Sequence, residues 1–185
     1  MCQLVFKDSI DYSKVYIQIG GFISIIINLT DNAMTPFGNV NVSNKNYFEN
    51  LAFSKSKGNA QHWFIHEMTH VWQYQMGTKN AWLGLEQLLC KSGYIIKVDC
   101  VDSGLGELKA YDTDITGKDL NKKFKDFNFE QQGRIIEFWF NACYLQNIVS
   151  SRPHHQKSLK LLGYVERILR DFLDNPHDPS LLPRS

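Results

Sequence analysis

Phe64-Ile65-His66-Glu67-Met68-Thr69-His70-Val71-Trp72-Gln73 is the stretch on which the reading of this chain turns. Phe64, Met68, Val71, Trp72 and Gln75 recur at helical spacing, and Gly77 supplies a C-terminal stop. Trp63, His66, His70 and Gln73 make a second face of the same helix. Aromatic residues on one side and two histidines on the other predict a helix buried on both.

Residues four apart on a helix project from one face, so His66 and His70 can reach a single ion. Zinc suits such a pair because it accepts neutral imidazole nitrogen without a strong directional demand. Glu67, next to the first histidine, can lie beside the metal without binding it. From there a carboxylate can take a proton from an activated water and return it to a leaving amine. The apolar neighbours of the motif, and the β-rich sequence before it, are the context that such an active-site helix requires.

A third ligand is needed, and three choices are open. Gln73 and Met76 stand where an HExxHxxGxxH extension would place its glycine and third histidine, which excludes the metzincin arrangement. Glu130 is the first choice, because it heads an otherwise apolar helix; its plainer role is an acid favoured at a helix N-terminus. Glu107, within Gly106-Glu107-Leu108-Lys109-Ala110-Tyr111, is the second. The adjacent His154 and His155 come third, since neighbouring side chains diverge on either a helix or a strand. Glu137 shares a helix face with Glu130 and is suited to orienting a ligand histidine or to pairing with Arg134. Tyr111 is a candidate oxyanion donor or an ordinary core or surface tyrosine. Gln73, one turn from His70, is placed to touch substrate or a ligand.

Outward from the motif, the first sixty residues read as β-rich. Val15–Ile19 and Phe22–Leu29 are dense in β-branched and aromatic residues, with Gly20-Gly21 as the turn between them. Asn39-Val40-Asn41-Val42 alternates as a short half-exposed strand should. Beyond the motif, Trp82–Leu89 reads as a short helix. Asn128 and Gln131 give a capping-box signature ahead of a helix apolar nearly all round, and Ser158–Leu173 is amphipathic. Residues 1–175 are expected to form one domain, with 176–185, interrupted by Pro176, Pro179 and Pro183, as a loose tail.

The chain has 185 residues, 43% of them hydrophobic and 13% aromatic, enough for a sizeable core. A formal charge of +1 leaves no basic surplus for nucleic acid. Lys118, Lys122, Lys123 and Lys125 are interspersed with Asp119 and Asp126, as on a solvated loop. Cys2, Cys90, Cys100 and Cys143 form no CxxC pair and read as free thiols, with a single Cys90–Cys100 bridge as the alternative. No Sec-type signal is evident, and Val15–Leu29 is too short and too polar to span a bilayer.

Three blocks resemble a family of bacterial zincin-like proteins associated with secretion systems, often near or fused to type VI spike and Rhs components. They are Ala33-Met34-Thr35-Pro36-Phe37-Gly38, then His66 to Gln73, then Asn128-Phe129-Glu130-Gln131-Gln132-Gly133. The resemblance covers roughly residues 8 to 145. It implies a single-zinc peptidase fold, an acidic position at Glu130, and a role as an exported effector or toxin-like enzyme with a secretion-apparatus partner. One departure is Glu137, where the family pattern has an aspartate.

Together these readings predict an α+β, zincin-like domain with a small N-terminal sheet packed on the His66–His70 helix. An edge strand of that sheet is expected to hold an extended peptide. One zinc ion is expected on His66, His70 and Glu130, with Glu67 as general base hydrolysing a peptide or protein substrate. The alternative is a catalytically silent, zinc-stabilised binding domain of a secretion-associated protein.

Overall fold

The computed structural model describes residues 1–19, 35–42, 58–78, 111–145 and 158–183. Among the described residues the α-helices and strands are α1 (Cys2–Phe6), β1 (Ile17–Ile19), β2 (Val40–Val42), α2 (Gly58–Gln75), α3 (Phe129–Phe140) and α4 (Ser158–Asp174). Helices with a small two-stranded sheet, among the described residues, are compatible with the α+β expectation. Among the described residues no helix is long and apolar enough to cross a membrane.

The motif helix α2 ends where Gly77 was expected to stop it. Gly77 takes φ 108°; its N–H reaches the Tyr74 carbonyl, and that of Thr78 reaches the Gln73 carbonyl, each at 3.0 Å. This pair of bonds is a Schellman motif, which satisfies carbonyls the helix would otherwise leave unpaired. The start of α3 is equally local in origin. Asn128 Oδ1 accepts from the Gln131 N–H at 2.8 Å, and Gln131 Oε1 accepts from the Asn128 N–H at 3.1 Å. Such a cap is worth about 1 kcal/mol, and it sets the N-terminal turn in which Glu130 sits.

α2 packs on α3, and α3 in turn on α4. Ile65, Met68, Val71 and Trp72 of α2 and Ile135 and Ile136 of α3 are buried in the core. Trp72, Phe124 and Phe172 form its aromatic centre, with Trp72 meeting Phe172 edge-on at 5.2 Å. Edge-on pairs add about 0.5–1.5 kcal/mol beyond the area they bury. α3 runs on into a π-helical turn, Asn141–Leu145.

Two expectations are corrected, those for β2 and for the C-terminal tail. β1 pairs with β2, in parallel, with Ile17 opposite Val40 and Ile19 opposite Val42. The Gly20-Gly21 turn and the Phe22–Leu29 strand lie outside the described residues. β2 is buried along its whole length, Asn41 included, because it packs on α2; the alternation of Asn39–Val42 therefore does not mark a half-exposed strand. Residues 176–183 dock on the body instead of trailing from it. The Trp72 indole donates to the Pro176 carbonyl at 2.8 Å, and Leu181 is buried within a 3-10 turn, Pro179–Leu181. The prolines shape that turn where they were expected to loosen the chain.

Lys118 and Lys122 of the basic cluster reach solvent and are paired, with Asp112 at 2.5 Å and Asp119 at 2.8 Å, though Asp119 itself is buried and not solvated as expected. Cys2 and Cys143 are free thiols. Cys90, Cys100 and the Trp82–Leu89 helix lie outside the described residues.

Candidate metal centre

α2 and α3 bring His66, His70 and Glu130 to one point. His66 Nε2 lies 3.0 Å from Glu130 Oε2 and 3.2 Å from His70 Nε2. His70 Nε2 lies 3.5 Å from the other Glu130 oxygen. Ligands about 2.0–2.1 Å from a tetrahedral zinc stand about 3.3 Å apart. The three groups thus have the mutual spacing of such a coordination shell, and they could hold a metal ion. Glu107, His154 and His155, the other third-ligand choices, lie outside the described residues.

The surroundings orient each ligand. Glu137 Oε2 is 3.1 Å from His66 Nδ1, while its other oxygen faces His62 Nδ1 at 3.9 Å. A proton on His66 Nδ1, donated to that carboxylate, leaves Nε2 with a lone pair turned toward Glu130 and His70. Gln73 Oε1 does the same for His70 Nδ1 at 2.8 Å. Glu137 thereby takes the orienting position open to it in the sequence, its extra methylene notwithstanding.

Electrostatics hold the cluster charged without a metal. Burial alone would drive the proton from His66, but hydrogen bonds to Glu130 and Glu137 outweigh it and raise the pKa from 6.5 to about 10. His70 is also raised against its burial, chiefly by the charge of Glu130. Burial pushes Glu130 up, yet the two histidines bring its carboxyl well below the ordinary 4.5. Stability from His66 is therefore complete below about pH 6.5 and lost as pH rises through about 10. That from Glu130 is present above about pH 4.5 and lost in acid. Chelator-treated protein should accordingly lose melting temperature from pH 6.5 to 10. Zinc-loaded protein should not show that decline, because the ion replaces the proton. A flat profile for the chelated protein would refute the paired imidazolium.

Two further side chains meet the cluster. Thr35 Oγ1 donates to Glu67 Oε2 at 2.6 Å, and both residues are buried. Tyr111 hydrogen-bonds Glu130, and burial, then Glu130 and Glu67, raise its pKa well above 10. Its ring lies 6.1 Å from that of His66, with the Arg134 guanidinium 5.3 Å from its centre.

His62, Gln132 and Gly133 are parts of this site that sequence reasoning missed. His62 carried a signal, since it precedes His66 by the same four residues that separate His66 from His70. Gly133 carried none beyond its place in the third block. A Cβ there would stand 2.7 Å from His66 Cε1 and 2.8 Å from Nδ1, so α3 approaches the imidazole across a missing side chain. Gly133→Ala should displace the ring from both glutamates and weaken zinc binding by about 10-fold or more. Gly163→Ala is the control: a Cβ there meets nothing within 4 Å, and the change should add about 0.5–1 kcal/mol. Equal zinc affinities in the two variants would contradict the close approach.

Fold and site together define a mixed α and β domain that carries a buried His–His–Glu cluster with an adjacent carboxylate. No family model matches the chain. The type VI secretion system spike protein VgrG2b of Pseudomonas aeruginosa is 35% identical over 141 residues, an alignment covering 74% of this chain. The chain spans only 12% of the length of that relative. Among solved structures, the effector domain of Pseudomonas aeruginosa VgrG2b matches with a TM-score of 0.55 at 26% identity. That match covers 91% of this chain and 76% of the domain.

Proposed function

We propose that the chain is a zinc-dependent, zincin-like peptidase that acts as an effector exported by a type VI secretion system. The observation that carries the enzymatic reading is the convergence of His66 Nε2, His70 Nε2 and the Glu130 carboxylate at coordination spacing, with Glu67 beside them on α2. Two imidazoles and a glutamate are a recurring donor set of catalytic zinc, which leaves a position for water. The same kind of set can hold iron in oxygenases; the buried carboxylate of Glu67, fit for proton transfer, favours hydrolysis. The likeness to a spike-protein effector domain supports the exported role.

Zinc bound there would polarise the scissile carbonyl and bring the acidity of water into the neutral range. Glu67 takes the proton of the attacking water and delivers it to the departing amine, so one carboxylate serves as base and then as acid. The Thr35 hydroxyl holds one Glu67 oxygen and leaves the other for that proton. Tyr111 stays a neutral phenol at any working pH, because its pKa is raised. Its one O–H, turned from Glu130 to the substrate, is suited to donate to the oxyanion that forms as water adds to the carbonyl. Glu137 and Gln73 keep the ligand nitrogens aimed.

The test is cleavage of an unfolded protein or peptide library by the purified chain. Hydrolysis should stop with a chelator and return with zinc. Zinc binding without cleavage of any peptide or amide substrate would instead favour a zinc-stabilised binding domain.

A further inference from the structure

We infer that Gln73 and Gln132 form an amide relay that sets the ligating nitrogen of His70 and anchors it to the C-terminal turn. The inference rests on the zinc reading and adds positioning residues to it. Both side chains are fully buried. Gln132 Nε2 lies 2.9 Å from the Phe124 carbonyl and 2.8 Å from that of Leu181. Carbonyls only accept, so the group facing them must be the NH2 of the amide. Its oxygen therefore faces Gln73, where it accepts from Nε2 at 3.0 Å. The second N–H of Gln73 goes to the Phe129 carbonyl at 3.1 Å.

That leaves only the Gln73 oxygen for His70. It lies 2.8 Å from Nδ1 and must accept from it. A neutral imidazole has a single N–H, so the proton on Nδ1 leaves Nε2 bare, facing His66 and Glu130. The direction of each bond thus follows from three backbone carbonyls, one of them in the turn Pro179–Leu181. Gln132 touches neither histidine through these bonds. Its part is to hold the Gln73 amide one way round. With that acceptor removed, Gln73 can turn its NH2 toward His70, which favours the tautomer with the ligating nitrogen protonated.

The experiment compares zinc affinity, by competition with a chelating indicator, for wild type, Gln73→Met, Gln132→Met and the double variant. Metal-free melting temperatures and circular dichroism establish that each is folded. The relay predicts about 10-fold weaker zinc binding in each single variant. The double variant should be little worse than either, since both changes break one chain of bonds. A nitrogen-15 spectrum of the histidines in zinc-loaded wild type adds a readout that mere structural support would not move. It should show His70 bound through Nε2 with Nδ1 protonated. If Gln132→Met does not fold, this spectrum decides alone.

Zinc bound through His70 Nδ1 would overturn the relay. So would full zinc affinity in folded Gln132→Met. Both results leave the metal centre standing. A wild-type chain that takes up no zinc overturns the centre and the relay with it.

Discussion

Glu67→Gln is expected to lower peptide hydrolysis by about 10²–10⁴-fold while zinc content stays near one ion per chain. The amide has nearly the shape of the carboxylate and can still accept from the Thr35 hydroxyl, which now donates at 2.6 Å. What it loses is the capacity to take a proton from water. Glu67 lies on α2 outside the cluster formed by His66, His70 and Glu130, so the ion has no reason to leave. Turnover should therefore fall through kcat, with KM little changed. Full activity in a zinc-replete Glu67→Gln protein would remove the residue from its role. Loss of zinc along with activity would mean that Glu67 is a ligand.

The motif helix was legible because its information is local. The i, i+4 spacing of His66 and His70, the apolar face through Met68 and Val71, and the stop at Gly77 all act within a few residues. The same holds for the start of α3, where Asn128 and Gln131 cap each other and so place Glu130. Relations across the fold were not legible. β1 pairs in parallel with a strand that begins 23 positions after Ile17, a pairing that no local signal marks. The proline-containing C-terminal segment read as a loose tail because the partners of Pro176 and Leu181, Trp72 and Gln132, come from other helices. Gly133 shows its purpose only when α3 is laid against His66. Gln132 has meaning only as one link in a chain of bonds.

Zinc should also dominate the stability of the domain. The cluster concentrates two imidazoles and two carboxylates, and without an ion it is held by the His66 imidazolium, whose Nδ1–H faces Glu137 and whose Nε2–H faces Glu130. A metal at about 1,000 times its Kd stabilises the folded form by about 4 kcal/mol. For a domain of this size that corresponds to a rise of roughly 8–16 °C in Tm. His66→Ala should abolish the rise, since it removes the residue that contacts both Glu130 and His70. Thermal scans with and without zinc give the answer. An equal zinc-induced rise in His66→Ala would place the stabilising ion elsewhere.

The most direct test of the metal centre is elemental analysis of purified, folded wild type alongside Glu130→Ala. The arrangement of His66, His70 and Glu130 predicts about one zinc per wild-type chain and essentially none in the variant. Wild type that remains metal-free after reconstitution, or a variant that keeps its zinc, would contradict it.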